Sequence, residues 1–123
     1  MKNSSFNEEQ EQTLLDLLVL GMYVDAHLSS AEDERIQKVL RGFDFESDYA
    51  RQQFGDGSFT RAARFAESPE EMRSFVTSAA STFKTEALRR EAFSLLGSLL
   101  ASDGKFSKEE STFLVMVRDI FEL

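Results

Sequence analysis

The chain of 123 residues has no cysteine, no tryptophan, one histidine and one proline. Without cysteine there is no disulfide, no thiolate nucleophile and no cysteine-type zinc site, and one histidine cannot build a multi-histidine centre. Redox compartment is left open by that count. No apolar run approaches the ~20 residues that a membrane-spanning helix needs. The opening MKNSSFNEEQEQ is polar and acidic rather than basic and then apolar, so no signal peptide is expected and a cytoplasmic location is the default. Basic residues are also scarce. Fourteen Lys and Arg against twenty-two Asp and Glu give a formal charge of -8. The nearest approaches to a basic cluster, Arg89-Arg90 and Arg61/Arg64, form no stripe, so nucleic acid is not expected as a partner.

What is present is an ordinary globular composition, 41% hydrophobic and 29% charged, at a length suited to one domain. A single domain is expected over residues 1–123, with 1–6 a loosely held tail. Apolar residues recur at helical spacing almost throughout. Leu14, Leu15, Leu18 and Met22 fall on one side of a helix from about Asn7 to Ala26, with Gly21 on that side where another backbone can approach. Ser29 opens a second helix through about Arg41 on Ile36, Val39 and Leu40. "SPEE" gives the clearest start, with Ser68 as N-cap, Pro69 at the first helical position and Glu71 closing a capping box. Met72, Phe75, Val76, Ala79 and Phe83 follow. The next helix, from about Thr85 to Ser102, turns Leu88, Ala92, Leu95, Leu96 and Leu99 inward. The last runs from about Lys108 to Phe121 on Phe113, Leu114, Val117, Ile120 and Phe121. Between Gly42 and Thr60, Gly55 and Gly57 interrupt the pattern, which reads as one or two short helices. Phe59, Ala62, Ala63 and Ala66 resume a helical face after them.

Three Ser-x-x-Glu boxes, Ser29/Glu32, Ser68/Glu71 and Ser107/Glu110, mark helix starts, each cap being worth about 1 kcal/mol. The first and third add an aspartate four residues before the serine, Asp25 and Asp103, where the middle one has Arg64. Each aspartate ends an apolar face, and an acid in a last turn faces the negative end of the helix dipole, so something must compensate. Two readings stand. Backbone N–H groups of the joint satisfy the carboxylate, with Gly104 supplying the turn and Leu28 or Phe106 plugging the corner. In the other, Asp25, Glu32, Asp103 and Glu110 gather oxygen ligands for a divalent cation such as calcium, magnesium or manganese. An EF-hand is excluded, since a loop begun at Asp103 has Lys105 at its third position and Leu114 at its twelfth.

On these residues the chain resembles the TerB-like family of small all-α proteins, named after tellurite resistance. "LLASDGKFSKEESTFLVMVRDIF" is similar to one family half, and "LVLGMYVDAHLSSAEDERIQKVL" to the other with Ala26 in place of glycine. The resemblance spans about Leu14 to Phe121. It implies a compact bundle of six or seven helices built from two related hairpins, a role in stress response, and metal binding at acidic residues. Relatives joined to co-chaperone domains imply instead an interaction module, with the repeated motif purely structural.

Other residues carry less. His27 lies in the first joint and reads as a solvated cap contact. The alternating acids of "DFESD", Asp44 to Asp48, read as a helix start rather than a metal loop. No G-x-S-x-G elbow or phosphate loop occurs and no further group stands ready to orient a substrate, so an enzyme is not expected. Phe75, Phe83, Phe113 and Phe121 fall on inward faces, whereas Phe43, Phe45, Phe54 and Phe59 are harder to bury together. Exposed as a set, those four would make a patch for an unknown protein partner or a homodimer.

Overall fold

The computed structural model describes residues 6–23, 30–42, 45–100 and 108–123. Among them run six α-helices and no strand: α1 Glu8–Tyr23, α2 Ser30–Arg41, α3 Asp48–Phe65, α4 Pro69–Thr82, α5 Glu86–Leu100 and α6 Lys108–Ile120. The all-α bundle that the periodicity predicts is present. The joints between α1 and α2 and between α5 and α6 lie outside the described residues.

The bundle is organised around α1, which touches each of the other five helices. Its middle, LLDLLVLGM, has apolar side chains on every face, and a helix of that kind is stable in water only when it is covered all round. Leu14, Leu15, Leu17, Leu18, Val19, Leu20 and Met22 are each at most 1% exposed. The one-sided stripe expected for this helix is therefore corrected to burial on all sides. Covering each such side chain contributes roughly 1.5–3 kcal/mol. At Gly21 the close approach is made by side chains rather than by a backbone. A Cβ there would lie 3.0 Å from Leu100 Cδ1 and 3.1 Å from Phe113 Cε2, so the glycine lets α5 and α6 close on α1.

Helix α1 begins in a reciprocal capping box. Asn7 Oδ1 accepts from the Gln10 N–H at 2.8 Å, and Gln10 Oε1 accepts from the Asn7 N–H at 3.0 Å. The residue before it, Phe6, is 2% exposed and packs edge-on against Phe83 at 5.3 Å. Phe6, expected within a loose tail over 1–6, therefore belongs to the core; residues 1–5 lie outside the described residues. Gln10 also donates Nε2 to the Thr82 carbonyl at 3.1 Å. Arg89 donates Nη1 to the Phe83 carbonyl at 3.3 Å and Nε to the Phe121 carbonyl at 3.1 Å. Side chains from α1 and α5 thereby close the carbonyl ends of α4 and α6, with a cation where the dipole favours one.

Two further expectations change. The stretch read as one or two short helices is a single 18-residue helix, α3, running through both glycines. Local weakness at Gly55 and Gly57 is overridden by packing: a Cβ on Gly55 would come within 3.0 Å of Leu40 Cδ1, so the missing side chain seats α2 against α3. Leu95, expected inward, is 36% exposed, while Leu100 at 1% fills the inner face of α5. Ala63 likewise faces outward and Ala62 alone of that pair is buried. At Ser68 half of the expected box forms. The serine Oγ accepts from the Glu71 N–H at 3.4 Å, while the Ser68 N–H goes to the Phe65 carbonyl.

Candidate functional site

Of the four acids proposed from sequence as cation ligands, Asp25 and Asp103 lie outside the described residues, as does the side chain of Glu32. Glu110 is described. It stands at the third position of α6 and is 6% exposed, so its carboxylate turns into the bundle. Among the described residues no three His, Cys, Asp or Glu side chains converge on one point. His27 and Asp44 also fall outside them, while Asp48 is exposed and pairs with Arg51 at 3.1 Å. Ser47 Oγ accepts the Ala50 N–H at 3.1 Å, so the end of the "DFESD" run serves as the start of α3.

Phe45, Phe54 and Phe59 are partly buried against the core, and the first two meet edge to face at 5.1 Å. These three do not form an exposed aromatic patch; Phe43 is outside the described residues.

An open apolar groove lies elsewhere. The end of α3, the first turns of α4 and the first turns of α6 border an open groove of ≈ 590 Å³. Ala66, Met72, Phe113 and Met116 make its floor, and Glu70, Arg73, Lys108 and Glu109 its rim. Phe113 is held by the core at 2% exposure, whereas Met72 and Met116 are only partly buried. At the other ends of the same two helices, Arg89 donates to both the Phe83 and the Phe121 carbonyls.

A second constellation, which the sequence reading passed over, lies between α1 and α3. Asp16 is 5% exposed in the middle of the apolar helix. Its Oδ1 accepts from Ser58 Oγ at 2.5 Å, from Gln12 Nε2 at 3.0 Å and from Arg61 Nη2 at 3.0 Å, and its Oδ2 from Arg61 Nε at 2.9 Å. Gln12 also donates to Ser58 Oγ at 2.8 Å. The fork of Arg61 and two neutral donors together supply what a buried carboxylate requires. No buried side-chain polar atom among the described residues lacks a partner, and this cluster joins α3 to α1. The available signal was a lone carboxylate inside LLDLLVL, which has to be answered by donors from another helix.

No family model, no curated protein and no solved structure matches this chain. No helix among the described residues is long and apolar enough to cross a membrane.

Proposed function

We propose that this chain is a non-enzymatic, cytoplasmic protein-interaction module that holds an apolar helix of a basic partner in the groove between α4 and α6. The observation that carries the reading is the open apolar floor of Ala66, Met72, Phe113 and Met116 inside a charged rim. An amphipathic helix laid into such a groove is a recurring recognition mode, and its volume falls in the range of about 300–1,000 Å³ usual for binding sites. Methionine side chains are flexible and polarizable and adapt to differing surfaces. A net charge of -8 favours a cationic partner.

The test uses a labelled amphipathic Leu/Lys helix of about 18 residues, about 27 Å long. Anisotropy should report binding to the wild-type protein, at least ~10-fold weaker binding to Met116→Asp, and weaker binding of a Leu/Glu helix of the same pattern. Equal binding to Met116→Asp, or amide shifts that map away from α4 and α6, would contradict the reading.

The second reading follows from the TerB-like resemblance: a duplicated hairpin with a stress-response role that binds a divalent cation through Asp25, Glu32, Asp103 and Glu110. What supports it is the repeat in the sequence, an aspartate four residues before each of two Ser-x-x-Glu boxes, at the second of which Glu110 is buried. Titration of calcium, magnesium and manganese into metal-free protein should then shift the amides beside Asp25 and Asp103. Silence at millimolar metal counts against it.

A further inference from the structure

The two halves of α3 are held in different ways. In the second half Ser58 is 0% and Ala62 1% exposed, and Ser58 and Arg61 give three hydrogen bonds to Asp16 of α1. The first half shows solvent most of its side chains: Asp48, Tyr49, Gln52, Gln53 and Asp56 are exposed, Tyr49 to 72%. Among the described residues its side-chain polar contacts stay local, in the Ser47 cap and the Arg51–Asp48 pair. Phe54 packs on the core and Gly55 lies against Leu40 of α2.

Between the two halves lies Gly55-Asp56-Gly57. Each glycine weakens helix about five-fold relative to alanine. Neither adopts left-handed backbone, so no turn demands glycine here. Beside the first half, between α2 and α3, are two solvent-open clefts of ≈ 160 and ≈ 280 Å³ that share Leu40, Asp48 and Arg51 as walls. The first half is therefore exposed, locally bonded and joined to the second at the point of weakest helix propensity.

We propose that Asp48–Gly57 is a lid that opens on the Gly55–Gly57 step while the Asp16 network keeps Ser58–Phe65 fixed on α1. Opening merges the two clefts over Leu40 and Phe59 and uncovers Phe54. This device is independent of the groove between α4 and α6.

Amide exchange on the full chain, followed residue by residue, tests it. An N–H in a helix is bonded to the carbonyl four residues earlier, so the amides from Ala62 to Phe65 depend only on the fixed half, and those from Arg51 to Gly57 only on the lid and its cap. Protection factors of the lid set should lie at least ~10-fold below those of the fixed set. Gly57→Ala should raise the lid set about five-fold more than it changes the fixed set. Asp16→Asn should lower the fixed set toward the lid set. Level protection along α3, or a Gly57→Ala effect that is equal in both sets, overturns the hinge. An Asp16→Asn protein with unchanged protection from Ala62 to Phe65 overturns the latch. If Asp16→Asn does not fold, the wild-type and Gly57→Ala profiles decide the matter.

Discussion

Helix α1 and the first half of α3 show two opposite ways of keeping a segment helical. The middle of α1 is covered on every face, and seven of its apolar side chains are at most 1% exposed. The first half of α3 is covered on one strip only and carries two glycines where it meets the second half. Intrinsic propensity would separate the two much less than burial does, because most helical stability in a folded protein comes from tertiary packing of a face. The contrast assigns the two segments different work: α1 supplies the fold's rigidity, and α3 has rigidity only where α1 lends it.

Truncation in the two regions should show the largest difference. Leu18→Ala removes a side chain at 0% exposure from the centre of the bundle, and is expected to cost about 3–4 kcal/mol by denaturant unfolding. Phe54→Ala removes a larger but half-covered ring, and is expected to cost less than about 2 kcal/mol because the site can relax into solvent. Equal losses would erase the distinction between the regions.

The Asp16 network is where the two regimes meet, and its removal comes next in size. Asp16→Ala leaves Ser58 without its acceptor, Gln12 with Ser58 Oγ alone and Arg61 without its counter-charge, at a cost of about 2 kcal/mol. The guanidinium side chain is 41% exposed, so water takes over part of its solvation and the loss stays below that of a fully buried pair. In a double-mutant cycle Asp16→Ala and Arg61→Ala should be less than additive by about 1 kcal/mol. Strict additivity would mean that the ion pair does not couple α1 to α3.

Helix starts were legible in the sequence because their chemistry is local. Ser68 before Pro69 and Thr85 before Glu86 each bring an acceptor within three residues of the N–H it satisfies. The Asn7/Gln10 box uses the same geometry with amide side chains, and escaped a search framed on serine and glutamate. Asp16 escaped for a different reason: its partners Ser58 and Arg61 lie 42 and 45 residues away, and nothing local announces that pairing. Gly55 and Gly57 misled because propensity sees the glycine, while the contact with Leu40 exists only after α2 has packed. The α4/α6 groove was hidden more deeply. Met72 and Phe113 have the spacing of core residues, and the groove they line forms only where α3, α4 and α6 come together.

The finest probe of the contrast is one substitution made in both helices. At Gly21 of α1 an added methyl would lie 3.0–3.2 Å from Leu100 and the Phe113 ring, neither more than 2% exposed and so neither free to withdraw. Overpacking of that kind costs about 1–3 kcal/mol and exceeds the gain of about 1 kcal/mol in helix propensity, leaving Gly21→Ala destabilising by up to about 2 kcal/mol. At Gly57 of α3 the added methyl would meet Arg61 Nη1 at 3.1 Å, the far end of a flexible and partly solvated side chain. That end can shift, so the propensity gain survives and Gly57→Ala should stabilise by about 0.5–1 kcal/mol. The expected result is therefore opposite sign for the same methyl, read as shifts of the unfolding midpoint in opposite directions. If Gly57→Ala also lowers the midpoint, the Arg61 fork has no room to move, and the second half of α3 is packed as tightly as α1.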